Sequence, residues 1–186
     1  MEKMNFGEEQ GRLLVSAGGK VLVLMNGHKV ENGPTGENLE ATTQWEYDGE
    51  WLDCDGYTDE GSLLRAAKRK VLDAIDAWDK GDEVNVFYVN GRASWLDKAT
   101  RVGLVNSATM CKEAGEEKMP LWLGDKRYEI ACDKVLGILR QIELYAMACY
   151  NATAQHRDAV ESLDNAEDVL AYDYRDGYPD KVSIEL

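Results

Sequence analysis

Two stretches of the chain have the same construction. "NGRASWLDKATRVGL" (residues 90–104) and "GDKRYEIACDKVLGI" (residues 124–138) each place a two-residue turn before a short alternating segment. Each then reaches Asp-Lys and continues into an apolar pattern of helical spacing. Gly and Asn take positive φ readily, which a two-residue hairpin requires, so each stretch is confined to a hairpin followed by a helix. The strands before the turns are "VNVFYV" and "LWL". Asp97 and Asp133, 36 residues apart (133 − 97), each stand where a helix should begin. A carboxylate there accepts unpaired backbone N–H groups and meets the positive end of the dipole. The expectation is a ββα unit used twice, since two copies give each apolar face something to pack against.

The second helix of the pair is long. Val135, Ile138, Leu139, Ile142, Tyr145, Ala146, Cys149, Thr153, His156, Val160 and Leu163 trace one face. Their mixed sizes argue for a central core helix rather than a coiled coil. "SLDNAEDVLAYD" offers a short terminal helix near Asp164, and "YRDGYPDKVSIEL" a turn with a last short strand or extended tail.

Residues 1–60 read as β-rich. Turns are expected at Gly18-Gly19, Asn26-Gly27 and Asp48-Gly49, between apolar or aromatic runs. The pattern then changes. Leu64, Ala67, Val71, Ile75 and Trp78 recur every three to four residues, which predicts a helix with Ser62 as N-cap and Lys80-Gly81 as its stop. The fold class is therefore α+β. It comprises a small β-rich N-terminal domain (1–60), a connecting helix (61–83), and a duplicated ββα domain (84–186) ordered hairpin, helix, hairpin, long helix.

Composition narrows the function classes. The net charge is −14, which repels phosphate backbones and anionic membranes, so the expected partners exclude nucleic acid and membrane. No apolar run approaches the roughly 18 residues that span a bilayer. The start, "MEKMNFGEEQGR", lacks the basic and apolar regions of a secretory signal. Cys54, Cys111, Cys132 and Cys149 show no CxxC spacing and read as buried free thiols in a reducing compartment, with disulfides or a zinc site as the alternative. The expected location is cytoplasmic where the chain is made.

No motif compels catalysis. "SAGGK" lacks the remaining glycine and the Ser or Thr of a phosphate loop, so it reads as a hairpin turn. Asp53, Asp55, Asp59 and Glu60 gather around Gly56, but miss the calcium-loop register and read as an acidic turn feeding the helix. His28 and His156 are far apart and lack a nucleophile pattern. "RAAKRK" (residues 65–70) is a solvated helix face, or a docking patch for an acidic partner. "NAT" at Asn151 matches a glycosylation sequon inside a helix pattern and is discounted. Trp45, Tyr47 and Trp51 form the small core that a β-rich domain needs, or present rings to a sugar or protein. Tyr172, Tyr174 and Tyr178 with Pro179 fold back over the hairpins, or form an interface. Trp95 and Trp122 are expected to anchor the two hairpins in the core. Arg101, one turn after Asp97, pairs with it or with an acidic group elsewhere.

Three stretches carry a resemblance: "SWLDKATRVGLVNSA", then "LWLGDKRYEIACDKVLGILRQIELYAMACYNATAQHRDAVESL", then "AYDYRDGYPDK". Their most specific pieces are residues 95–98 with Arg101, the segment 143–151, and residues 172–179. Together, over roughly residues 84–186, they resemble an uncharacterised domain family of tailed phages and prophages whose members are often tail-fibre associated. The resemblance implies a non-enzymatic protein that contacts other tail or fibre proteins as a minor structural component or adaptor, in the cytoplasm and then the virion tail. It carries over no catalytic, metal or cofactor residues, and an oligomer is compatible with it. The alternatives are a cytoplasmic chaperone for fibre subunits, and a glycan-binding module using Trp45, Tyr47 and Trp51.

Overall fold

The computed structural model describes residues 1–15, 19–32, 42–54 and 59–186. The chain is α+β and divides into two compact units, residues 1–74 with 157–173, and residues 75–156 with 174–186. This grouping differs in outline from the consecutive segments 1–60, 61–83 and 84–186, because apolar side chains select packing partners without regard to chain order.

The first unit holds four antiparallel strands in the order β1-β4-β3-β2, with β1 at Glu2–Phe6, β2 at Leu13–Val15, β3 at Lys20–Asn32 and β4 at Thr42–Asp53. Val21, Leu22, Val23 and Leu24 are consecutive and all buried, so this part of β3 is covered on both faces. Leu22 and Leu24 cluster with Tyr47, and with Met4, Phe6 and Trp45 at the margin. Helix α1 (Glu60–Lys80) is tied to the end of β4, where Arg69 Nη2 donates to Asp53 O at 2.8 Å and Lys70 Nζ donates to Trp51 O at 3.0 Å. Its N-terminus is closed by Asp59 rather than by Ser62. Ser62 N donates to Asp59 Oδ1 at 2.7 Å, and Ser62 Oγ accepts from Asp59 N at 3.4 Å, a reciprocal cap.

Two expected turns are strand interiors. β3 runs straight through Asn26-Gly27, where a bulge between Met25 and His28 shifts its register against β4. Asn26 takes φ 56°, so its tolerance of positive φ serves the bulge instead of a reversal. β4 runs through Asp48-Gly49, with Gly49 opposite Glu2 on one side and Leu24 on the other. Each glycine makes room for a neighbour. A Cβ on Gly27 would lie 2.4 Å from the Tyr47 ring, and one on Gly49 would lie 2.5 Å from Met4 Sδ. Gly18 lies outside the described residues.

The second unit contains both ββα copies. In the first, β5 (Phe87–Val89) and β6 (Arg92–Ser94) flank a turn with Asn90 at φ 47° and Gly91 at φ 74°, and α2 (Lys98–Glu113) follows. In the second, β7 (Lys118–Leu123) and β8 (Lys126–Ala131) flank a turn with Gly124 at φ 62°, and α3 (Cys132–Ser162) follows directly. A short helix α4 (Ala166–Ala171), capped by Asn165, belongs to the first unit. The last strand, β9 (Ser183–Ile184), joins β5 in parallel.

One core serves both copies. Phe87 and Val89 of the first hairpin, Met119, Leu121 and Ile130 of the second, Ala108 of α2, and Val135, Ile138, Leu139 and Ile142 of α3 pack together. Complete burial of a side chain such as Phe87 or Leu139 contributes about 1.5–3 kcal/mol. Trp122 does not join them; it is 59% exposed. Strand alternation is the cause, since Met119, Leu121 and Leu123 point inward and the residues between them point outward. Asp133 lies inside the first turn of α3, which begins at Cys132, instead of standing ahead of it. There its carboxylate takes a 2.5 Å contact from Lys112 Nζ.

Candidate functional site

Asp97 closes α2. Its Oδ1 accepts from Thr100 N at 2.8 Å and its Oδ2 from Thr100 Oγ1 at 2.8 Å. These bonds hold its carboxyl below the ordinary aspartate value of 3.8. One turn on, Arg101 turns inward and takes Glu143 as its ion-pair partner, while its charge adds a minor lowering of the Asp97 carboxyl. Its Nε donates to Glu143 Oε2 at 2.6 Å, Nη1 donates to Leu96 O at 2.6 Å, and the guanidinium lies 5.6 Å from the Trp95 ring centroid. Arg101 is 6% exposed, so its charge depends on these partners. Trp95 is half-buried against Phe87 and Tyr145.

This ion pair links α2 to α3 beside a shallow cavity of about 230 Å³ lined by Arg101, Val102, Val105, Asn106, Leu139 and Glu143. Large apolar side chains are exposed on both helices, with Val102, Val105 and Met110 on α2 and Leu144, Met147 and Tyr150 on α3. Met147 and Tyr150 follow Glu143 at spacings of four and three residues, so the three share one helical stripe. Tyr150 is the most exposed of these side chains, at 71%. Exposed apolar groups beside the half-exposed Glu143 carboxylate, which Arg101 holds in place, suit binding to a protein surface, because apolar area supplies contact energy and the fixed carboxylate supplies orientation. No family model, no curated protein and no solved structure matches this chain.

The aromatic candidates lie elsewhere. In the first unit Tyr47 is 5% exposed. Its hydroxyl accepts from Gln10 N at 2.8 Å and donates to Gln10 O at 3.3 Å. Trp45 stacks on it at 6.2 Å and Phe6 meets it edge-on at 5.8 Å. Of Trp45, Tyr47 and Trp51, only Trp51 is exposed, so the three do not present one open face of rings. Tyr172, half-buried, also belongs to the first unit; burial, and then the charge of Asp173, raise its phenol.

Tyr174 and Tyr178 fold onto the second unit. Tyr174 meets Trp78 edge-on at 6.3 Å, and Arg175 lies against both rings. Tyr178 stacks on His156 at 5.5 Å and its hydroxyl is 3.0 Å from Thr153 Oγ1, which also bonds Asp79 Oδ1 at 2.8 Å. His156 Nε2 donates to Asp176 O at 2.8 Å. His28 belongs to the first unit, on β3, with Glu46 at 3.7 Å.

The acidic turn and the basic cluster are largely occupied by their own chain. Asp59 caps α1, Glu60 pairs with Arg12 at 2.9 Å, and Asp55 lies outside the described residues. Among the described residues, no group of three or more His, Cys, Asp or Glu side chains is placed to hold a metal ion. In the basic cluster, Lys70 pairs with Glu50, Arg69 with the Asp53 carbonyl, and Lys68 with the Glu161 carbonyl at 2.5 Å. The four cysteines are free thiols, with Cys54, Cys132 and Cys149 buried. No helix among the described residues is long and apolar enough to cross a membrane.

Glu143, the partner of Arg101, lies 42 residues further along the chain. The one signal for it was its place in "QIELYAM", a polar residue on the rim of an otherwise apolar helix face.

Proposed function

We propose that this chain is a non-enzymatic protein acting by protein–protein contact, through the α2–α3 face of its second unit, as a minor structural component or adaptor of a phage or prophage tail or tail fibre. The observation that carries the contact role is the set of exposed apolar side chains on two helices, of which Val102 and Val105 line the cavity at the ion pair between buried Arg101 and exposed Glu143. The tail context rests on the resemblance of residues 84–186. Two of its signature segments, 95–101 and 143–151, meet at that ion pair. A net charge of −14 favours a partner with a basic surface.

Quantitative mass spectrometry of purified particles, alongside the induced lysate, tests this reading. A fixed stoichiometry in the particle, lost on Met147→Lys with Tyr150→Lys while the thermal midpoint is kept, is the expected result. Recovery only in the lysate, bound to fibre subunits, would replace the adaptor role with that of a cytoplasmic assembly chaperone. Absence from both associations overturns the tail assignment.

A further inference from the structure

We propose that β3 pairs along its outer edge with β3 of a second copy of this chain, antiparallel and centred on Val30. β4 covers the inner edge of β3 from Lys20 to Asn32, whereas β2 covers the outer edge only from Val21 to Val23, with one further bond from Leu24 N to Arg12 O at 2.8 Å. Among the described residues, no strand pairs with the outer edge of β3 from His28 to Glu31. Such an edge is a row of main-chain donors and acceptors that templates another strand.

The register identifies which groups face outward. Leu24 directs its N–H to β2, so in an antiparallel ladder its main-chain groups, and those of every second residue from it, point away from β4. The bulge adds one residue to β3 and none to β4, which changes the outward set from even to odd positions. Beyond it, Lys29 and Glu31 face outward with their main-chain groups.

Charge then selects the partner and the alignment. Centred on Val30, self-pairing sets Lys29 opposite Glu31 of the second copy and Glu31 opposite Lys29 of the second copy. A two-fold contact builds each such pair twice. Sliding to the neighbouring alignments sets Lys29 opposite Lys29 or Glu31 opposite Glu31, which is unfavourable. Both side chains are exposed. Lys29 lies opposite Trp45 and Glu31 opposite Thr43 on the same face of the sheet, with the Lys29 ammonium 5.4 Å from the Trp45 ring centroid. The contact is far smaller than the roughly 1,600 Å² of a standard stable interface, so association falls in the micromolar range and weakens with salt.

Sedimentation velocity of the full chain across roughly 1–100 µM tests this. The expected result is a concentration-dependent rise toward twice the monomer mass. Lys29→Glu alone and Glu31→Lys alone each weaken association by roughly tenfold or more. The combined Lys29→Glu, Glu31→Lys chain, whose opposed charges are again complementary, regains it. Unchanged thermal midpoints show that all three variants fold. A chain that stays monomeric throughout, single reversals without effect, or a combined variant that does not recover each overturns the proposal.

Discussion

At the scale of single residues, caps and buried charges set the local geometry. Asp97 shows how a cap links stability to pH. Its folded carboxyl titrates below its unfolded value, so its stabilising contribution is complete above about pH 3.8 and is lost as pH falls through the lower folded value. Asp97→Asn keeps the acceptor for Thr100 N but cannot titrate. Acid unfolding followed by circular dichroism should show a smaller loss of stability below pH 3.8 for the variant than for the parent chain, with similar stability at pH 7. The cap was legible in the sequence because it depends on neighbours three residues away. The partner of Arg101 was not, since Glu143 lies 42 residues along the chain and only packing brings it near.

At the scale of elements, the same dipeptide has different outcomes in different surroundings. Asn90-Gly91 reverses the chain between two three-residue strands, while Asn26-Gly27 bulges a strand of thirteen residues. In the second case β4 offers partners on both sides of the glycine, and continuing the ladder satisfies more main-chain groups than turning would. Gly27→Ala should therefore destabilise by about 1–3 kcal/mol, because the added Cβ meets the Tyr47 ring, which Gln10, Trp45 and Phe6 hold in place. Gly49→Ala should cost less, since the atom it meets is the flexible end of Met4. Urea unfolding of both variants measures the difference. Trp122 illustrates the same lesson on β7. Its size suggested burial, but the period of two placed its neighbours inside and left it outside.

At the scale of the whole molecule, chain order and packing order diverge. Val160, in the last turns of α3, and Ala166 and Val169 of α4 are buried and belong to the first unit, although the strands of that unit lie more than a hundred residues earlier in sequence. A fragment of residues 84–186 keeps these side chains and loses the strands of the first unit. It should bind a hydrophobic dye and self-associate at concentrations where the full chain does neither, as fluorescence and light scattering would report.

What the sequence determined by itself was local: the α+β composition, the two hairpin-then-helix copies, the long core helix, and the Asp97 cap. Each depends on side-chain period or turn chemistry within a few residues. The tertiary structure decided which glycines turn, which tryptophan is buried, what neutralises Arg101, and which apolar groups of α2 and α3 are left exposed. Those outcomes depend on partners distant along the chain, and the free energy of burying or pairing a group is set only when its neighbours in space arrive.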